Sequence, residues 1–465
     1  MSVNARRSLS LSPSHLPGGI HYAWFIVAIL ALVQVIGSSI GMSGGIIVPI
    51  LNDSEGSFGW SMAIIGAAFM VYYLTGAISS PISGWLGDRY GPRRMLLAGG
   101  ILYATSMILM GLVSQSWHFF LTFSFMMALT QAISMVSLMA AVIRWFRRSL
   151  GLGTGILWAA SGIGSAALAP LMSYLMGQIG WQATFWSIGI VGGGILILLT
   201  VVFRDSPADL GIKPYGATDD EPPSEVKDKA VEHLRLKVFN QHMRRTRAFW
   251  NLPVIHSLGC AGHGIVLIYA VPLAVDRDIS LVSASIMLSL ISLVSVPSRL
   301  ITPVLAEAYS PKMIMSLCLF VQGATVLLLF WAQDVWMFYL FATLFGMGFG
   351  GEWTGYLVIN RKYFGEGPLA GCYGWQMSGA MMGHAIAMGL AGLILYVTGS
   401  YNPVLAMSMV FSLGGVVVIL TLEPTSRVLI PRWEESLPPE ARSISASRQE
   451  GTTGAGLPEP APGDD

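Results

Sequence analysis

The chain has 465 residues, of which 54% are hydrophobic and only 11% charged, with a net charge of +1 and a mean hydropathy of +0.63. A soluble domain carries roughly 25% charged residues, so this balance excludes an ordinary water-soluble protein and points to a chain that mostly faces lipid. The near-zero net charge gives no sign of a nucleic-acid surface.

A first tail, 1–21, is polar and carries Arg6 and Arg7. The apolar run after it is too long for the core of a cleavable signal peptide and reads as a first membrane helix. A spanning helix needs ~20 mainly apolar residues. Such runs fall at 22–50, 60–85, 95–113, 117–143, 150–176, 182–203, 250–275, 281–306, 313–332, 335–359, 367–397 and 401–422. The reading is an all-α membrane protein of twelve transmembrane helices. They form a first six-helix bundle, 22–203, and a second, 250–422, joined by a polar linker, 204–249. Within the linker, 205–229 reads as disordered. In 230–247, Val231, Leu234 and Val238 recur at helical spacing among basic residues, which predicts a helix lying on an anionic membrane surface. The tail 423–465 is rich in Pro, Gly and Ser and reads as disordered.

Lys and Arg fix the orientation. Both termini and the even-numbered connections hold 24 of the 26 basic residues, and only Arg277 lies on the other side. The positive-inside rule then places both termini and the linker in the cytoplasm, in a cell-membrane protein. Asn52-Asp53-Ser54 is a glycosylation sequon on the outer side, of a kind common by chance.

The halves echo each other. Residues 86–93 read LGDRYGPR and residues 305–312 read LAEAYSPK, each between the second and third span of its half. Trp145-Phe146 and Tyr363-Phe364 form a second echo between the fourth and fifth spans. Gly84 and Gly87 permit close helix contact, Gly91 a tight turn, and Asp88 can accept hydrogen bonds at a neighbouring helix N-terminus.

The stretch from Gly84 to Arg94, GWLGDRYGPRR, resembles the signature loop of the major facilitator superfamily. That resemblance implies two pseudo-symmetric bundles around a midplane site, and a latch between them in which Gly84, Gly87, Asp88, Arg89, Gly91 and Arg93 take part. In the second copy Glu307, Ala308 and Ser310 replace Asp, Arg and Gly, so the second latch reads as degraded. Residues 144–164, residues 346–365 and an Arg late in the eighth span resemble the monocarboxylate-porter and oxalate–formate-antiporter branch.

Two charges lie well inside spans, Arg299 and Glu352, and such charges cost ~2.5–3.5 kcal/mol each at the bilayer centre. Arg299 presents a planar fork matched to a carboxylate, and in the resembled branch an Arg there binds substrate. Glu352 lies at similar depth. It can pair with Arg299 and take up a proton when the substrate anion claims that Arg. His256, His263 and His384 are further proton-coupling candidates. Gln34, Gln131, Trp158, Trp375 and Gln376 are candidate cavity liners. The branch's usual Asp one turn before the Arg is Ser295 here, and a Lys expected in the eleventh span aligns with Ala380, so a single binding cation favours a monoanion over a dianion.

The function expected is transport, not enzymatic catalysis: proton-coupled symport of a small organic monocarboxylate by alternating access. Anion exchange of the oxalate–formate type, proton-driven drug efflux and a non-transporting sensor are the alternatives. No cofactor or metal is expected. Cys260, Cys318 and Cys372 lack metal-ligand spacing, and no Walker A lysine motif is present. Gly37-Ser38-Ser39-Ile40-Gly41 and the glycines of 346–351 lack the strand context of a nucleophile elbow or a dinucleotide loop.

Overall fold

The computed structural model describes residues 21–52, 58–218, 229–365 and 367–442. Among these residues there is no strand, only an isolated bridge between Phe146 and Tyr215. The helices are α1 (Tyr22–Asn52), α2 (Met62–Tyr90), α3 (Pro92–Met110), α4 (Ser116–Phe119), α5 (Ala128–Trp145), α6 (Leu150–Val202), α7 (Lys229–Met243), α8 (Arg247–Asp276), α9 (Leu281–Ala308), α10 (Pro311–Thr325), α11 (Val335–Glu352), α12 (Tyr356–Phe364), α13 (Ala370–Thr398) and α14 (Asn402–Leu420).

These helices build twelve spans. Ten segments are long and apolar enough to cross a membrane on composition alone. The third span carries Arg93 and Arg94 in its first turn, and the tenth is interrupted; these two complete the set. Local chemistry explains the boundaries. Ser61, Thr246 and Ser280 cap α2, α8 and α9 by accepting from the amides of Ile64, Phe249 and Ser283. Gly91, at φ 85°, turns the chain between α2 and α3, and Pro92 opens α3 where its missing N–H costs nothing. Arg277 donates to the Leu329 carbonyl (3.0 Å) and to that of Ala332, satisfying acceptors at the end of the ninth span.

The spans depart from regularity at three places. The fourth joins α4 to α5 through a π-helical stretch, Phe120–Met127. The fifth and sixth, expected to be separated at 177–181, are two helices that meet at a kink at Gly180, with φ 81° and ψ 163°. Glycine needs no connecting loop to make such a turn. The tenth, expected to continue to 359, breaks after Glu352 and resumes at Tyr356.

Between the halves, α2 packs along α13 and α6 along α9. Each half also ends in a strap that the sequence does not foretell. In the first half, the chain after α6 returns so that Trp145 Nε1 donates to the Arg204 carbonyl (3.2 Å), the Tyr215 amide donates to Trp145 (2.9 Å) and Asp205 accepts from the Arg93 amide (2.6 Å). In the second, Tyr363 donates to the Glu423 carbonyl (2.5 Å), the Leu429 amide donates to Tyr363 (2.7 Å) and Lys312 donates to the Leu422 carbonyl (2.5 Å). The Trp-Phe and Tyr-Phe echo marks the two anchoring points.

Two expectations of disorder are therefore corrected. Residues 205–218 hold a capped turn, Pro207–Leu210, and the strap. Residues 423–442 of the tail are packed, with Trp433, Leu437 and Ala441 buried. The expected surface helix exists as α7, but its apolar side is not left for lipid. Phe239 and Met243 are fully buried, Phe239 meets Trp433 edge-on at 5.0 Å, and Arg235 lies over Trp433 and pairs with Glu434. Protein burial has claimed that face, while Leu234 stays exposed. Arg6, Arg7, Arg448, most of the sequon and residues 219–228 lie outside the described residues.

Candidate substrate site and inter-half bridges

The bridges lie at the end of the molecule that carries the linker. Asp88, near the end of α2, accepts from the amide of Gly371 in the first turn of α13 (2.7 Å). Glu307, near the end of α9, accepts from the amides of Leu150 (3.2 Å) and Gly151 (2.6 Å), which open α6. Each carboxylate thus sits on the positive end of a helix from the other half. The second copy is not degraded where it matters: Glu307 keeps the acceptor, although Ala308 and Ser310 replace the Arg and a Gly. A glycine allows the close approach in both. A Cβ at Gly84 would lie 2.6 Å from the Ala370 carbonyl oxygen, and one at Gly151 would overlap the Pro303 carbonyl. Gly84 and Pro303, like Gly151 and Ala370, are separated by the same 219-residue offset, so the glycine changes sides between the two copies.

Arg89 is absent from this bridge. It is exposed and stacks over Trp85 (5.3 Å) and Tyr90 (5.5 Å). Arg144 is the cation beside Asp88, donating to the Gly87 carbonyl at 3.5 Å. Arg93 works inside its own half, on the carbonyls of Thr200 (2.8 Å) and Val201 (3.3 Å). Burial pushes the Asp205 carboxyl above its ordinary range, against the pull of the Arg93 amide and of Arg144. Replacing Asp88 by Asn and Glu307 by Gln removes charge-assisted bonds worth ~1.5–3 kcal/mol each. We expect each substitution to lower the closed population at this end about tenfold or more, by spin-label distances between Arg94 and Lys362. The two effects should add in free energy, since the bridges share no partner.

The intramembrane charges lie in a buried aromatic cluster between the bundles. Arg299 on α9 is 8% exposed, and its guanidinium lies over Phe349 (5.5 Å) and Trp353 (5.4 Å). Trp353 stacks at 5.1 Å on Trp158 of the first half. Among the described residues, neither the buried Nε of Arg299 nor the indole N–H of Trp353 has an acceptor. The expected Arg299–Glu352 pair is not formed. Glu352 sits at the break of the tenth span, fully buried, with Oε2 3.7 Å from His263 Nδ1. Helix ending, not side-chain reach, decides this: the break turns Glu352 towards α8, so that Gly259 is the residue whose Cβ its carboxylate excludes. His263 also touches Phe349 (4.9 Å), Trp353 (5.7 Å) and His384 (5.1 Å). His384 donates from Nδ1 to the Ala380 carbonyl (3.1 Å) and stacks on Tyr73 of the first half at 5.0 Å. Arg299, His263, Glu352 and His384 therefore form one cluster, closed towards the first half by Trp158 and Tyr73.

Other candidates fall elsewhere. His256 is buried on α8 two turns before His263, stacked on Tyr356 at 4.1 Å. Gln376 exchanges hydrogen bonds with Asn360 (3.0 and 2.7 Å), which uses both ends of its amide in the fold. Trp375 packs on Trp250 (5.6 Å) near the start of α8. Gln34 is buried in the first half, with Nε2 3.9 Å from Met135 Sδ. Gln131 lines a small hollow between the halves with Gly76, Met377 and Met381. Phe349, Trp353 and Tyr73 escape sequence reading, because aromatic residues in a span look alike whether they pack or face a site. The one signal is Gly350-Gly351-Glu352-Trp353-Thr354-Gly355, where glycines flank a charge and a helix break follows.

The sequence profile of the Major Facilitator Superfamily matches residues 27–308 and 264–454. The chain belongs to the major facilitator superfamily. It is 25% identical over 356 residues, 73% of either chain, to monocarboxylate transporter 2 of Homo sapiens. It is 26% identical over 230 residues to the oxalate:formate antiporter of Oxalobacter formigenes, covering 49% of this chain and 50% of that one. A crystal structure of the major facilitator transporter FucP in the outward conformation superposes with a TM-score of 0.65 at 12% identity, covering 85% of this chain and 97% of that one. As a superfamily member with these relatives it is a multi-pass membrane transporter, not an enzyme, and its relatives come from the branch its sequence resembles.

Proposed function

We propose that this transporter is a proton-coupled symporter of a small organic monocarboxylate, with Arg299 as the anion-binding group. The carrying observation is a buried guanidinium held by two aromatic faces, with no acceptor for its Nε among the described residues. A buried donor of this kind is costly unless a ligand accepts from it, and a carboxylate is the acceptor whose geometry fits the fork. Flanking Phe349 and Trp353 suit a short apolar acyl chain. One guanidinium in the cluster suits a monoanion.

Proton coupling is assigned to Glu352 with His263 and His384 as its neighbours. Substrate and proton then occupy adjacent positions in one cluster, and the bilayer cost of the anion falls when both are bound. Alternating access follows from the bridges: Asp88 and Glu307 hold the linker end closed and release it when the halves rock. With the basic residues where they are, that end, the linker and both termini are assigned to the cytoplasm of a cell-membrane protein.

The test is uptake of labelled small carboxylates into proteoliposomes. An inward gradient of one pH unit is worth ~1.4 kcal/mol, which drives about tenfold accumulation of a co-transported anion. We expect the wild type to show that accumulation. Glu352→Gln should lose it while still exchanging labelled for unlabelled carboxylate across the membrane. Exchange that ignores the gradient in the wild type itself would instead establish the antiporter reading, which the oxalate:formate relative favours. Absence of carboxylate movement under any gradient would sink both.

A further inference from the structure

One face of α7 remains once Phe239 and Met243 are buried. His233, Lys237 and Asn240 recur at intervals of four and three residues and so line one side of the helix, with Arg244 just past its end on the same groove. That side faces Trp85 and Arg89 at the end of α2 across a groove of about 380 Å³. Among the described residues, Arg89, Lys237 and Arg244 have no carboxylate within ion-pair distance. By contrast, Arg93 of the same loop and Arg144 at the end of α5 are engaged within the fold.

The level of the groove in the membrane is legible from its rim. Trp85 is 46% exposed, Tyr90 45% and Trp250 49%, and Trp250 donates its indole N–H to the Arg244 carbonyl (3.0 Å). Exposed Trp and Tyr at the ends of apolar spans mark the headgroup level, where an amphipathic ring meets both water and acyl chain. Arg89 is held between two of these rings, its charge directed along the surface and not into the Asp88 bridge.

We propose that the groove between α2 and α7 binds a phosphate-bearing anion, supplied by the headgroup of an anionic lipid. Three unpaired cations converge on it, His233 and Asn240 add neutral hydrogen-bonding groups, and the aromatic rim places a lipid phosphodiester within reach. The consequence is conformational. α7 carries the packed tail, and Arg89 adjoins Asp88, so a headgroup tying Arg89 to α7 favours the closed linker end.

The experiment uses the full-length transporter in nanodiscs of phosphatidylcholine alone or with phosphatidylglycerol, with native mass spectrometry and the Arg94–Lys362 label distance as readouts. We expect the wild type to retain phosphatidylglycerol and to shift towards the closed distance in its presence. Replacing Arg89, Lys237 and Arg244 together by Gln should cut retention about tenfold and remove the shift. A control replacing Arg245, Arg427 and Arg432, also exposed, should keep both. If inorganic phosphate added to phosphatidylcholine discs closes the wild type through the same three residues, the site stands and its source is soluble. Equal loss in the control and the groove variant would overturn the proposal, leaving only general surface attraction. Retention unchanged in the groove variant would overturn it as well. Neither result bears on carboxylate uptake, so failure here is separable from failure of the transport reading.

Discussion

Arg299→Ala is expected to abolish saturable carboxylate uptake, and Arg299→Lys to restore little of it. Truncating one partner of a buried, hydrogen-bonded charge pair costs ~2–5 kcal/mol, about 30-fold to several thousand-fold in affinity. Lysine keeps the charge but not the planar fork, and its ammonium lacks the guanidinium's stacking on Phe349 and Trp353. A second readout separates a binding role from a structural one. Without substrate, a buried cation with a free donor is a burden on the fold, so Arg299→Ala should melt at or above the wild-type temperature in detergent. Added carboxylate should then stabilise the wild type and leave the variant unmoved. Uptake that survives in Arg299→Ala, or a variant that melts far below the wild type, would remove Arg299 from the substrate site.

Gly84→Val and Gly151→Val should each bring transport to background while the protein still folds and inserts. Their Cβ atoms would meet backbone of the opposite half, at Ala370 and Pro303, and backbone cannot give way as a side-chain tip can. Overpacking of this kind costs ~1–3 kcal/mol and falls only on the closed state, since the contact disappears when the halves part. The closed population should drop about 5- to 150-fold. Label distances between Arg94 and Lys362 should lengthen in both variants. The double variant should transport no worse than either single one, since one wedge already holds that end open. A wedge variant with the wild-type distance would show that these glycines serve packing within a half.

Much of this architecture was legible in the sequence because lipid imposes simple rules. Segment lengths, the placement of basic residues and the echo of LGDRYGPR in LAEAYSPK gave the spans and the two bundles. The same echo misled where it was read letter by letter. Glu307 counted as a loss, although a carboxylate one methylene longer reaches the same kind of helix end, and Arg89 counted as a latch residue, although its side chain is stacked away from Asp88. Arg299 and Glu352 stood out because charges in spans are costly. Their partners did not, since whether Glu352 meets Arg299 or His263 depends on where α11 ends, and no periodicity reports that. The straps and the packed tail were hidden by composition: Pro-, Gly- and Ser-rich segments look unstructured, yet a few buried anchors such as Trp433 suffice to order them.

The straps also bear on where one repeat stops and the next begins. Residues through 218 secure the first bundle, whereas α7 packs on a tail segment some two hundred residues later in the chain. The natural seam is therefore between Thr218 and Lys229, not at the last apolar residue of the sixth span. Two separate polypeptides divided there would each leave the ribosome with their own fastening intact. The first would close on its own loop, and the second would carry α7 to meet its tail, so that the pair would need only the Asp88 and Glu307 contacts to find one another in the bilayer.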